Sequence, residues 1–505
     1  MQSSHNGAHT ARVRAGITRV VGKLRTLCLL AVPVLTLSSL CAGAAAEFYV
    51  ALDGKDTNAG TEGAPFATLR RARDAVRALK QAEGLPDGGV TVWIEEGVYC
   101  LDTTLQLDAE DSGTKDAPVV YRAREGEDVV FDGSRPIDTT SFRAVKETAT
   151  LARLCPAARG SVVQTVIDDD RLVEALSHND AKISSDGRMM QMARFPNVGY
   201  CHIKESLDKG AVYAHGRTKG EPPSFSLAEP IGGVFTVVEA PSGDWEAEFK
   251  RVQKAAVSGY LSYDWYRETH RIAAIRDGAI QLLEYSRYGV LNQEKIPRRL
   301  VVRNLLCELD QPGEWYFDEA ARTLFLWPYE SIHNRTYLGC WSGPSFALLS
   351  GACHVTIRDI AVQCTATGEG LLVVKGGSDN LVAGCTFRNS TRTGVVLSGG
   401  TNNGMVGCDL YDLGSHLVLE GGETKTLTPA GNYAYNNHLT QVESRDLYGR
   451  VRIRGVGNRF QNNLLHNFVG QPITVGGNDH VLERNEIFNV GFEEGDGGAM
   501  YAATG

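Results

Sequence analysis

The sequence predicts an all-β chain: a right-handed parallel β-helix with an N-terminal capping helix and an inserted β-rich domain. Two observations predict it. Glycine fills 55 of 505 positions, about 11% against a usual figure near 7%, and 26 of those glycines fall within residues 351–505, together with 14 of the 21 asparagines. In the same stretch, short apolar runs, glycine pairs and single Cys or Asn residues recur every 22 to 29 residues. Paired excesses of Gly and Asn mark regularly placed turns. A period of that length marks a stacked solenoid.

The elements follow in chain order. The first 46 residues carry Arg12, Arg14, Arg19, Lys23 and Arg25 and no acid, followed by the apolar run Leu27–Leu37 and then Cys41-Ala-Gly-Ala-Ala-Ala46. This is the layout of a secretory signal peptide cleaved after Ala46. A retained membrane anchor is the alternative, but the apolar run is short for a span and Pro33 interrupts it. The expected location is therefore secreted, periplasmic or cell-surface. Removing the five cations takes the formal net charge from −9 to −14. That acidity argues against a nucleic-acid partner, and nothing after residue 46 is long and apolar enough to span a membrane.

The mature chain opens with a strand at Phe48–Ala51. Thr68 is placed to N-cap a helix from Leu69 to about Ala82, with Leu69, Ala72, Val76 and Leu79 on one face. Strands follow at Val90–Ile94, Val119–Arg122 and Val129–Phe131, and residues 47–140 form the cap and first coils. Residues 141–345 are β-rich, aromatic and without a period, and are read as the inserted domain. Within it, Gly313–Asp318 and Leu324–Trp327 form a hairpin with aromatic pairs.

Residues 346–505 carry the repeat. Gly376-Gly377, Gly399-Gly400, Gly455-Val456 and Gly476-Gly477 are each followed, seven or eight residues later, by Cys385, Cys408, Asn463 and Asn485. Asn437 fits the same column in a longer coil. A short β run precedes each pair. Coils of this kind cannot bury their inner faces alone, so they stack, and equal positions form ladders. The Cys and Asn column is read as an internal ladder whose amides satisfy one another. Nine cysteines lie beyond residue 46 with no Cys-x-x-Cys spacing, so no metal site or redox motif is expected.

Several segments carry a family resemblance. Phe48-Tyr-Val-Ala-x-Asp-Gly-x-Asp56, Pro65-Phe-Ala-Thr-Leu69 and Gly88-Gly-Val-Thr-Val92 resemble the N-terminal cap of secreted β-helix proteins. Ala193-Arg-Phe-Pro-Asn197, Gly313-Glu-Trp-Tyr-Phe-Asp318, Lys425–Asn432, Gly455-Val-Gly-Asn-Arg459 and Gly477-Asn-Asp-His480 resemble the glycoside hydrolase family 141 type of the pectate-lyase-like superfamily. The resemblance implies a carbohydrate-active enzyme acting on fucosyl or xylan linkages of plant or algal cell walls. The chain departs from that pattern at His466-Asn467, where the family has His-Asp, and at Gly470-Gln471-Pro472, where it has Pro-His. The family's Arg-Asp-Trp after Asp496–Tyr501 is missing, so a truncated chain is expected.

Candidate site residues follow from these readings. Asp496 matches the family's aspartate and is the first choice for a catalytic carboxylate, with Glu494 or Glu493 as its partner, because glycoside hydrolysis needs two carboxyl groups flanking the bond. The glycines around Asp496 equally suit a turn. In Val451–Arg454 the alternation points Arg452 and Arg454 outward, and aligning the Gly pairs puts Lys375, Ser398, Glu420 and Arg454 in one outward row. Such a row suits a sugar hydroxyl or uronate, and equally a solvated edge. His466 and His480 are candidate substrate contacts, although His480 occupies the turn position of Asn380 and Asn403. No cofactor is expected. The alternatives are a polysaccharide lyase on uronate polymers, the one reading that admits calcium, and a non-catalytic glycan-binding surface protein.

Overall fold

The computed structural model describes residues 45–178, 181–185, 188–213, 222–292, 298–332, 338–441 and 449–502. The predicted signal peptide lies outside them up to residue 44. The main body is a parallel β-helix of three faces. The first face has nine strands: Ala46–Val50, Val90–Ile94, Val119–Ala123, Val355–Arg358, Leu381–Ala383, Gly404–Val406, Tyr433–Tyr435, Arg459–Gln461 and Val481–Glu483. The second runs from Gly97–Cys100 to Glu486–Val490 and the third from Leu105–Leu107 to Met500–Ala502. The long strands Thr386–Ser398 and Asp409–Gly421 turn the corner between these two faces and join them into a single 14-stranded sheet.

The predicted cap is present. A helix spans Leu69–Glu83, and Thr68 Oγ1 accepts the Arg71 N–H at 3.1 Å. Leu69, Ala72 and Val76 are buried on the helix's inner face, and the Arg77 guanidinium reaches the buried carboxylate of Asp111 at 2.7 Å. The core continues from there as one column of aliphatic and aromatic side chains, from Val50 to Ile473.

Two ladders pin the register of the coils. In the predicted one, Asn437 Oδ1 accepts from Cys408 N at 2.9 Å, Asn463 Oδ1 from Asn437 Nδ2 at 2.9 Å, and Asn485 Oδ1 from Asn463 Nδ2 at 3.0 Å. Cys385 and Cys408 head the column as buried thiols. A second ladder stands at the turn from the third face to the first. Asn380 Nδ2 donates to Asn403 Oδ1 at 2.8 Å, Asn403 N to Asn432 Oδ1 at 2.9 Å, and Asn458 N to His480 Nδ1 at 3.1 Å. Buried amides of this kind are stable only when each finds a partner. Cys100, Cys155, Cys201, Cys307, Cys353 and Cys364 are likewise free thiols.

The insert leaves the helix between its second and third faces, at the neck where Ser134–Pro136 pairs antiparallel with Leu338–Trp341. The change of architecture thus falls near residue 133 rather than the expected 140. The two neck strands approach so closely that a Cβ on Gly343 would lie 2.3 Å from the Gly133 Cα, a separation only glycine permits. The insert has two parts. An eight-stranded mixed sheet contains the predicted hairpin, with Trp315 opposite Leu326 and Tyr316 opposite Phe325. Beyond it, Cys201–Asp208, Val234–Val237, Ala279–Leu282, Glu268–Arg276, Ala256–Tyr260 and Arg299–Arg303 pair antiparallel in a closed ring of six strands. Ile203, Phe235, Val257 and Leu300 fill this barrel, with Trp245 and Phe249 of the helix Trp245–Val252 packed against them. Closure leaves the ring without an open edge.

Candidate functional site

The turns from second to third face stack along one edge of the β-helix, at residues 389–392, 412–414, 469–472 and 491–499, with Gln441 and Arg450 on the same edge. The insert is itself the enlarged turn of an earlier coil on this edge, so its barrel meets the later turns. Tyr200 Oη donates to Glu493 Oε2 at 2.5 Å, and the Arg299 guanidinium donates to the Glu493 backbone carbonyl. The Asp264 carboxylate lies against Gly495, where a Cβ would stand 2.0 Å from Asp264 Oδ2.

Glu494 sits at the centre of this contact. Its Oε2 accepts the Gln471 N–H at 3.3 Å, and a Cβ on Gly470 would come within 2.5 Å of the same oxygen. Burial pushes the Glu494 carboxyl up to about 7. The Gln471 N–H and the Arg267 charge oppose that rise, and the negative charge of Asp264 adds to it. A carboxyl group that keeps its proton near neutral pH can donate it. Arg299 lies 4.1 Å above the Tyr260 ring centroid and 5.5 Å from that of Tyr200. The Tyr260 hydroxyl is buried with no hydrogen-bond partner among the described residues. Flanking Asp264, the Tyr263 and Trp265 rings stack at 5.4 Å and 12°, and Tyr263 is exposed. An exposed aromatic face beside polar groups is a surface on which an amphipathic ring can lie.

The other sequence-predicted residues occupy separate places. Asp496 lies two residues past Glu494 with its side chain in solvent, and its backbone carbonyl accepts from Gln471 Nε2 at 3.0 Å. Lys375, Ser398, Glu420 and Arg454 do form one row, in register on successive coils of the third face. Two of its members are paired with neighbours outside the row: Lys375 Nζ meets Glu369 at 2.5 Å and Arg452 Nε meets Glu420 at 2.8 Å, while Arg454 is exposed. It stands at the far end of the third-face strands from Glu494. His466 lies on the second face between His438, its ring centroid 5.1 Å away, and Phe488 at 4.9 Å. Its Nε2 is 2.9 Å from His438 Nε2, and burial, then His438, lowers its pKa. His480 belongs to the second ladder; its Nε2 meets the Gly476 carbonyl at 3.1 Å while Nδ1 accepts from Asn458. Both of its ring nitrogens serve the fold.

Of the sequence candidates, then, Glu494 and Glu493 lie at the contact between insert and helix, and Glu493 is taken up by Tyr200. Asp264, Arg267, Tyr200, Tyr260 and Arg299 come from the insert, and the sequence reading did not single them out. The available signal was the run Tyr263-Asp-Trp-Tyr-Arg267, which packs two charges among three aromatics within five residues. Among the described residues, no three His, Cys, Asp or Glu side chains converge as a metal site would require.

No family model matches the chain. It is 38% identical over 89 residues to pectate lyase PEL9 of Emericella nidulans, a stretch covering 18% of this chain and 19% of that one. It is 37% identical over 91 residues to the uncharacterized protein YwoF of Bacillus subtilis, covering 18% and 16%. The match thus spans less than a fifth of either relative. Among solved structures, a glycoside hydrolase superposes with a TM-score of 0.48 at 13% identity, covering 89% of this chain and 98% of that one. XylC in complex with xylose gives 0.48 at 12%, covering 88% and 62%. Pectate lyase Pel9A gives 0.33 at 12%, covering 90% and 79%.

Proposed function

We propose that this chain is a secreted carbohydrate-active enzyme, a glycoside hydrolase whose general acid is Glu494 and whose second carboxylate is Asp264. The observation that carries the reading is the half-buried Glu494 carboxyl, its pKa pushed up to about 7 beside the negative charge of Asp264. Two carboxyl groups in unlike environments, one keeping its proton and the other ionised, are what glycosidic cleavage uses. Glu494 delivers its proton to the leaving oxygen as the glycosidic bond breaks. Asp264 stabilises the developing positive charge at the anomeric carbon, either by bonding to it or by activating a water. Arg299 holds the Glu493 backbone in place, the charge of Arg267 acts on the Glu494 carboxyl, and Tyr263 and Trp265 offer a stacking surface for a sugar ring. The reading moves the chemistry from Asp496 to Glu494 and Asp264. The substrate class is cell-wall polysaccharide with fucosyl or xylan-type linkages, and the stretch shared with a pectate lyase agrees with a glycan substrate.

A lyase is the second reading, favoured by that same stretch and by the two arginines beside the site, which could neutralise a uronate. Product analysis separates the two. Hydrolysis releases a reducing sugar with no new chromophore, and Asp264→Asn and Glu494→Gln abolish the release. A product absorbing in the near ultraviolet would instead establish elimination.

A further inference from the structure

The edge that holds Glu494 also has a hollow, four coils back toward the N-terminus. It is a cleft of about 330 Å³ between the mixed sheet of the insert and the turns of the early coils, within the size range of small-ligand sites. Four cationic side chains line it: Arg135 at the neck, Arg171 and Lys182 from the insert, and Arg392 from the β-helix. Among the described residues, Asp102 and Glu174 are the acids of the lining, so the described lining carries more positive than negative charge on an otherwise acidic protein. Two of the cations are held in place. Arg135 meets Asp102 at 2.9 Å, and Arg392 Nε donates to the Ala366 carbonyl at 2.6 Å. Ser342 and Thr391 also line the cleft, and their hydroxyl oxygens are buried without a hydrogen-bond partner among the described residues. Buried hydroxyls left unmatched are costly unless a ligand or water satisfies them. Fixed guanidinium groups beside unmatched hydroxyls suit an oxyanion carried on a hydroxylated ring.

We propose that this cleft is a subsite for an acidic sugar unit, carrying a carboxylate or a sulfate ester, of the same glycan chain that is cut at Glu494. The proposal rests on the glycoside hydrolase reading for its second half only. Four coil-to-coil steps separate the Thr391–Arg392 turn from the 491–499 turn, which at about 4.8 Å per step is roughly 19 Å. That distance is longer than one sugar ring, so a chain lying along the edge engages both places together. The subsite then selects polymers with a charged unit several residues from the bond that breaks, and long-range attraction adds a dependence on salt.

The test is equilibrium binding to the Glu494→Gln protein, which keeps substrate intact. Three oligosaccharides of matched length are titrated: a neutral xylo-oligosaccharide, one bearing a uronic acid, and one bearing a sulfate ester. The acidic ligand that fits binds at least tenfold more tightly than the neutral one, and the gap closes in the Arg171→Gln/Arg392→Gln double variant and at high salt. Arg171 is exposed, so its single variant, checked by its melting temperature, serves as the measurement if the double variant unfolds. Preference for the uronate identifies a carboxylate, and preference for the sulfated ligand identifies a sulfate. Equal affinity for neutral and acidic ligands, or an unchanged gap in a folded variant, overturns the subsite. The two readings fail separately: hydrolysis surviving in Glu494→Gln removes the catalytic assignment and leaves the binding result standing.

Discussion

Tyr200 of the barrel donates its hydroxyl proton to the Glu493 carboxylate of the β-helix at 2.5 Å, across 293 residues of sequence. This bond ties the insert to the loop that carries Glu494. Burial, then the Glu493 bond, raises the Tyr200 phenol to about 12, so it donates throughout the physiological range.

Removing that tie weakens the dock more than the fold. Tyr200→Phe keeps the ring against Tyr260 and Arg299 and loses one bond to an ionised acceptor, about 1 kcal/mol for a half-buried pair. Denaturant unfolding is expected to show a loss of that size, and turnover is expected to fall further because the Glu494 loop loses its anchor. Turnover equal to the parent's would separate the dock from the chemistry.

Activity carries a basic limb set by Glu494. Its protonated form is the competent acid, so kcat/KM is expected to fall as pH rises through about 7, one decade per pH unit above it. A pH profile on an uncharged oligosaccharide measures this without titrating the substrate. A plateau extending past pH 9 would mean that a different group supplies the proton.

The ladder predicts a structural cost remote from the site. Asn437→Ala strips the acceptor from Cys408 N and the donor from Met405 O and Asn463 Oδ1. Orphaned buried groups cost about 1–3 kcal/mol each, so a loss of about 3 kcal/mol or more is expected in thermal or denaturant unfolding. A loss below about 1 kcal/mol would show that the coils register without the amides.

The β-helix was legible because its signals are periodic. Repeated positions produced the inner Cys385 to Asn485 column and the outer Lys375–Arg454 row, and both appear in register. The insert was illegible as an architecture because an antiparallel barrel pairs strands of unrelated sequence. Val234–Val237, for example, lies between Cys201–Asp208 and Ala279–Leu282, and no spacing along the chain announces that. The site suffered for the same reason. Glu494 lay on a loop the sequence pointed to, whereas Asp264 reaches it only because the insert folds back along the edge from which it left. His480 was weighed as both a contact and a turn residue, and its two backbone hydrogen bonds place it in the turn.

Stability is expected to vary with pH through a buried carboxyl of the insert. Glu314 in the mixed sheet is fully buried, and burial raises its pKa to about 8, against the partial relief of the Asp310 N–H. The unfolded chain loses this proton near 4.5, so the folded state is favoured fully below that value. The advantage is lost as pH rises from about 4.5 to about 8, by an amount on the order of a few kcal/mol. Glu314→Gln keeps an acceptor for Asp310 and is expected to flatten that part of a melting-temperature profile. A variant profile as steep as the parent's would assign the slope to other groups.

The most direct test of the account is the kcat/KM ratio between the parent and Glu494→Gln on a cell-wall oligosaccharide, with both proteins shown to be folded. A general acid contributes about 10²- to 10⁴-fold, so a loss in that range is expected, together with disappearance of the basic limb near pH 7. Hydrolysis within a few-fold of the parent, with the limb intact, would contradict the assignment of Glu494.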